Sequence, residues 1–202
     1  MNTLGKNVIL VDADYVDQVA FRLTVNFERM LGRRIPKADL AQWLVCAALD
    51  GRLREGDNTV EVAMIHDKER TAMDNFVPAD YEHEISGQAF RDERLGEFVL
   101  AAYPVEPMVS KTDFMADALQ TVCGQTGVER VVVVANMEDE TVRNSMVRAL
   151  RDVDDEQVHV TLLAMQPLTV GGPFRQELLG YSLMAALGIR SEELSNNSEI
   201  NP

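Results

Sequence analysis

Five short apolar runs divide the chain, at residues 8–11, 60–65, 98–103, 131–135 and 158–164. They are β-branched or otherwise apolar, and short. Such runs suit strands covered on both faces, and hence a parallel sheet. Between them the apolar spacing changes to three and four. Val16, Val19, Ala20, Leu23, Phe27 and Met30 share one helical face, and Gly32 follows as a stop. Leu40, Trp43, Leu44 and Ala47 predict a second helix, started near Pro36 and ended by Gly51. Met115, Leu119 and Val122 predict a third, ended by Gly124, and Val142, Met146, Val147 and Leu150 a fourth. Phe174, Leu178, Leu179, Leu183 and Leu187 predict a fifth, ended by Gly188.

Strands alternating with helices predict an α/β fold: a three-layer, doubly wound domain around a central, mainly parallel five-stranded sheet. It spans residues 1–190 as a single domain with a C-terminal helix, and residues 191–202 read as a polar, flexible tail. The segment 68–97 breaks the alternation. It is polar and lacks a clear period, with only a short helix suggested near Phe90, and it predicts an excursion at the edge of the sheet.

The length, 202 residues, suits one domain with a full core. No run approaches the roughly 20 apolar residues of a membrane span, and the first residues lack the pattern of a secretory signal. A cytoplasmic location is expected. Cys46 and Cys123 lie in apolar, helix-like contexts and read as buried thiols of a reducing compartment. The net charge of −14 repels a polyanion unless a local basic patch or bound cations intervene. That counts against a dedicated nucleic-acid binder, though not against a nuclease with an acidic, metal-holding site.

In open α/β sheets, sites form outside the carboxyl ends of the strands, where the strand order reverses. Carboxylates follow nearly every run. Asp12 and Asp14 follow the first, His66 and Asp67 the second, and "NMEDE" (Asn136, Met137, Glu138, Asp139, Glu140) the fourth. After the third, "PVEPMVSKTDFMAD" leads into a helix with Asp113 and Asp117. Oxygen donors converging from several strand tips are what Mg²⁺ or Mn²⁺ requires, and such ions activate water against a phosphodiester. Each piece also has a plainer account. Asp14 suits the cap of a helix starting near Val16, and Asp12 the amides of a turn. Ser110 and Asp113 are spaced as a capping box. Asp113 and Asp117 sit four apart on one helix face, repelling unless a cation lies between them. Glu138, Asp139 and Glu140 complement a helix dipole.

His66 reads as an exposed turn residue, and His83 and His159 have no partner spacing. Gly171, Gly172 and Pro173 lack the further glycines and lysine of a phosphate loop, and no dinucleotide fingerprint is present. No Ser-His-Asp or Cys-His arrangement is visible. The ten methionines fall mostly on helix faces, as core filler.

The segments "VDADYV", "SKTDFMADAL", "VERVVVVANMEDETVRNSMVRAL" and "VHVTLLAM" resemble, in order and approximate spacing, the NYN branch of the PIN-like nuclease superfamily. The resemblance implies a PIN-like parallel sheet. It places Asp12, Asp113 and Asp139 where the family holds Mg²⁺ or Mn²⁺ for RNA hydrolysis. Asp14, Asp117, Asn136 and Glu138 then serve as secondary ligands or water-orienting groups. The chain departs from the pattern at Tyr15, where the family has asparagine, and at Met137, where it has an aspartate. Its lysine, Lys111, stands two residues before Asp113 instead of three, and Asp117 falls outside the family's second helical aspartate position.

Two functions follow as expectations. One is a metal-dependent, ribonuclease-like phosphodiesterase. The other is a non-catalytic relative acting through protein contacts or self-association as a homo-oligomer. Small-ligand binding without hydrolysis ranks third. A nuclease needs cations around its acidic site to hold phosphates. Lys68, Arg70, Lys111, Arg143 and Arg148 are the candidates, so their placement at the strand tips or elsewhere separates the two.

Overall fold

The structure is a computed structural model, and it describes residues 5–198. The first strand, β1 (Asn7–Asp12), passes without a loop into α1 (Ala13–Leu31). Asp12 is the hinge of that junction, because its carboxylate accepts the backbone N–H of Tyr15 at 3.1 Å and so caps the helix. Gly32, with φ of 64°, ends α1 in the left-handed conformation. There follow β2 (Ala38–Asp39), α2 (Leu40–Asp50), β3 (Asn58–Asp67), β4 (Phe76–Val77), a single π-helical turn (Tyr81–Ile85), β5 (Ala89–Asp92) and β6 (Gly96–Val105). The second half comprises α3 (Lys111–Cys123), β7 (Arg130–Val134), α4 (Glu140–Ala149), β8 (His159–Ala164), β9 (Arg175–Leu178), α5 (Leu179–Ala186) and α6 (Ser191–Ser198).

The main sheet has seven strands in the order β5-β6-β3-β1-β7-β8-β9, parallel except for the antiparallel edge strand β5. The chain moves outward from β1 through β3 to β6, then returns past β1 to β7, β8 and β9. Right-handed crossovers therefore put α1 and α2 on one face and α3 and α4 on the other. The first face buries Val16, Trp43, Leu44 and Phe76 with Leu183 of α5. The second buries Met115, Leu119, Met146 and Leu150.

The domain is three-layered and α/β, with two strands more than the expected five. Both additions are edge strands. β5, "AFRD", stands where a short helix near Phe90 is expected, and β9, "RQEL", stands where the fifth helix is expected to begin. Neither is fully buried, so neither needs an apolar run to signal it. The fifth helix is correspondingly shorter, α5 starting at Leu179. The expected flexible tail is also corrected in part. Residues 191–198 form α6, tied back through Glu193, which takes Arg33 Nε and Nη2 at 2.8 Å each. The expected tail's remainder, 199–202, lies outside the described residues.

The winding leaves one surface uncovered. α3 crosses from β6 back to β7 and packs on β1 and part of β3, so the second face of β6 and the adjoining part of β3 carries no helix. A groove of about 660 Å³ runs there, lined by Ala63, Val99, Ala101, Tyr103 and Phe114, with Asp117 on its rim. Among the described residues no helix is long and apolar enough to cross a membrane.

At the end of α2, burial and then Glu177 push the Asp50 carboxyl up to about 6. Its Oδ2 is buried without a hydrogen-bond partner among the described residues, and a helix C-terminus disfavours negative charge. A raised folded pKa means that stability is lost as pH rises from 3.8 towards about 6. Asp50→Asn is therefore expected to melt ~2–4 °C above wild type at pH 7.5 and level with it near pH 4. Thermal denaturation at the two pH values checks this.

Candidate functional site

The sheet delivers β1 and β3 to the same end, where Asp12 and Asp67 emerge. Asp14 follows on the first turn of α1. Lys111 opens α3 and reaches back between them. Its Nζ stands 3.0 Å from Asp12 Oδ1, 2.6 Å from Asp14 Oδ2 and 3.5 Å from Asp67 Oδ1. Asp12 and Asp14 are well covered, Asp12 being 9% exposed, while Asp67 is exposed. Burial pushes the Asp12 carboxyl above its usual range despite the ammonium beside it. Burial works against the Lys111 charge too, but Asp12 and Asp14 hold its pKa above the ordinary value. Each charge in this group needs the others.

A second cation extends the network. Arg70, in the segment after β3, lies 3.5 Å from Asp14 Oδ1, and its Nη2 lies 3.0 Å from Asp17 Oδ2 and 3.1 Å from Asp74 Oδ2. Asp17 is 2% exposed and also accepts the backbone N–H groups of Asp74 and Asn75, at 3.1 and 2.8 Å. It fastens the segment 70–75 to α1. The spacing of Asp14 and Asp17, three apart on a helix, is visible in the sequence. Arg70 as their partner, more than fifty positions away, is not.

The other expected ligands are placed differently. Asp139 is spent as the cap of α4, accepting the N–H groups of Thr141 and Val142 at 2.8 and 3.1 Å. Glu138 accepts the Tyr15 hydroxyl at 2.6 Å and the Met165 N–H at 3.1 Å, bracing α1 against the end of β8. Asp113 is exposed on the first turn of α3, where Ser110 Oγ accepts its N–H at 3.2 Å. Asp117 is exposed one turn further along. Asn136 is half-buried after β7, and Met137 is fully buried in the core of the second face. Asp12 and Asp14 are thus brought together, while Asp113, Asp117, Glu138 and Asp139 are not gathered around them. The capping roles are also exchanged: Asp12, not Asp14, caps α1.

His66 corrects its expected place as well. It is buried at the end of β3, its ring stacked on Tyr81 with centroids 3.8 Å apart. His83 pairs with Asp80 at 3.0 Å. Cys46 and Cys123 are free, half-buried thiols, and burial pushes Cys123 up to about 11, so neither is a ready nucleophile.

A divalent ion at this site would need the point that Lys111 Nζ holds. Among the described residues no group of three or more His, Cys, Asp or Glu side chains is arranged to hold a metal ion. The carboxylates as placed do not fit Mg²⁺ or Mn²⁺. The cations named for phosphate binding divide. Lys68, Arg70 and Lys111 do flank the strand tips, but each is engaged: Lys68 with Glu106, Arg70 with three aspartates, Lys111 with Asp12 and Asp14. Arg143 donates to the Met137 carbonyl at 3.1 Å, and Arg148 lies in the last turn of α4, at the far end of the sheet.

A family model matches residues 1–194. The chain belongs to a family of unknown function, DUF6621. No curated protein matches it, and no solved structure does. In this family member the chemistry at the strand tips rests on its geometry alone.

Removing the ammonium leaves the buried Asp12 without an ion-pair partner and Asp14 with Arg70 alone. Lys111→Met is expected to cost about 3–5 kcal/mol in urea denaturation. Adding Asp12→Asn and Asp14→Asn to the same chain is expected to recover at least half of that loss, because the partners couple.

Proposed function

We propose that the chain is a non-catalytic domain of PIN-like architecture that acts through protein contacts. The observation that carries this reading is the position of Lys111 Nζ, between Asp12 and Asp14 at 3.0 and 2.6 Å. In a hydrolase of the expected kind, a metal ion would neutralise these carboxylates and activate water. Here a side chain of the protein neutralises them, at no cost in bound ions. Three further features support the reading. Met137 is packed into the core where the resemblance calls for an aspartate. Asp139 and Glu138 have structural partners. The cations at the strand tips are engaged by carboxylates, so a phosphodiester would have to compete for them.

The uncovered groove beside α3 supplies the contact surface. Val99 and Tyr103 are 38% and 46% exposed on it, and contiguous apolar surface of this kind marks interaction sites. Tyr103→Lys is expected to shift the melting temperature of the isolated chain by no more than about 2 °C, as a surface substitution does. A large loss would mean that this face is needed for the chain's own stability.

The decisive test is hydrolysis of single-stranded RNA with Mn²⁺, paired with calorimetric titration of Mn²⁺, on wild type and Asp12→Asn. Neither binding nor cleavage is expected in either protein. Cleavage by wild type that Asp12→Asn abolishes would overturn the proposal and restore the phosphodiesterase.

A further inference from the structure

The sheet's opposite end holds a cavity of about 470 Å³ with the reverse charge. β7, β8 and β9 start there, and their register places Arg130 beside His159 and Thr161 beside Arg175. Side chains two apart on a strand share a face, so Arg130, His159, Thr161 and Arg175 form one row. The loop after α2 lies over this row and brings Arg52 and Arg54 to it.

Two features hold that loop against the sheet. A Cβ on Gly51 would stand 2.3 Å from Val132 Cγ2, so only glycine permits the approach. Arg52 follows with φ of 59°, the one non-glycine residue with positive φ among those described. Strain of this sort persists where the surroundings impose it, and it clusters at binding sites.

Two of the four arginines have no carboxylate partner. No carboxylate lines the cavity. Arg52 and Arg54 form no ion pair among the described residues, and Arg130 Nε is buried without a hydrogen-bond partner. Glu129, bonded to Lys6 at 2.7 Å, also offsets part of the charge of Arg130 and His159 from outside the cavity wall. The nearest carboxylate on the β9 side, Glu177, reaches Arg175 only at 3.7 Å. In a chain of net charge −14, two unpaired guanidinium groups and a third whose Nε has no hydrogen-bond partner, all lining one cavity, are a site built for an anion.

We infer that the cavity formed by Arg52, Arg54, Arg130 and Arg175 binds a small soluble ligand carrying a diphosphate group. Charge balance selects the class. A diphosphate carries about three negative charges at neutral pH, matching Arg52, Arg54 and Arg130, and its oxygens suit the guanidinium fork. The volume lies within the range of small-molecule sites. The acidic surface elsewhere repels an extended polyanion more than a compact one. The site is remote from the strand tips and stands whether or not the domain is catalytic.

Calorimetric titration of inorganic pyrophosphate into the full chain, in metal-free buffer of low ionic strength, tests the assignment. Saturable one-to-one binding is expected, weakened about tenfold or more in Arg54→Ala and in Arg52→Gly and unchanged in Arg91→Ala at the opposite edge of the sheet. Arg52→Gly is also expected to melt ~2–4 °C higher without ligand, since glycine relieves the left-handed backbone. That gain shows that its lost binding is not lost folding. No saturable binding, or wild-type affinity retained in either arginine variant, would overturn the proposal. Orthophosphate binding as tightly as pyrophosphate would overturn the diphosphate assignment. A single-stranded oligonucleotide binding more tightly than pyrophosphate through the same arginines would replace it with a nucleic-acid strand.

Discussion

The ammonium of Lys111 between Asp12 and Asp14 is the constraint on which this end of the molecule depends. It joins the end of β1, the first turn of α1 and the start of α3. Through Asp14 it also meets Arg70, and through Arg70 the segment after β3. The apolar sheet carries Asp12 and Asp14 to a depth where water screens them only weakly. A lone carboxylate there would be costly, and a matched set is tolerated. The geometry of the strand tips is therefore over-determined: moving any one member exposes the others to the cost of being buried alone.

Charge is segregated along the strand axis. At the carboxyl ends, acidic residues dominate, and the chain's own cations meet them. At the amino ends of β7, β8 and β9, guanidinium groups face a cavity with no carboxylate in its wall. The net acidity of the chain says nothing of this division. It follows from which strand begins where, and from Gly51, which lets the loop after α2 lie directly on Val132.

Much of the architecture was legible beforehand. The apolar runs at 8–11, 60–65, 98–103, 131–135 and 158–164 coincide with β1, β3, β6, β7 and β8; β1, β7 and β8 are apolar because both their faces are buried, while β6 and the first half of β3 bury one face only. α1 through α4 were legible for the same reason, each turning one stripe inward. β5 and β9 were not, since an edge strand can be polar and still pair. In the candidate site, the proximity of Asp12 and Asp14 follows from local sequence. The removal of Asp113 and Asp139 from that cluster does not, because a residue at a helix start serves equally as ligand or cap until its neighbours are placed.

The sequence by itself determined the α/β class, the five inner strands, the helix stops at Gly32 and Gly51, and an acidic first strand tip. These depend on local periodicity and backbone preference, which act within a few residues. The tertiary structure alone decided who meets whom. It set Lys111 against Asp12 and Asp14 from roughly a hundred positions away, buried Met137, stacked His66 on Tyr81, and gathered Arg52, Arg54, Arg130 and Arg175 from three separate parts of the chain. Electrostatic partnership has no period along a chain. It is fixed only when strand order and crossover hand bring the charges to one place.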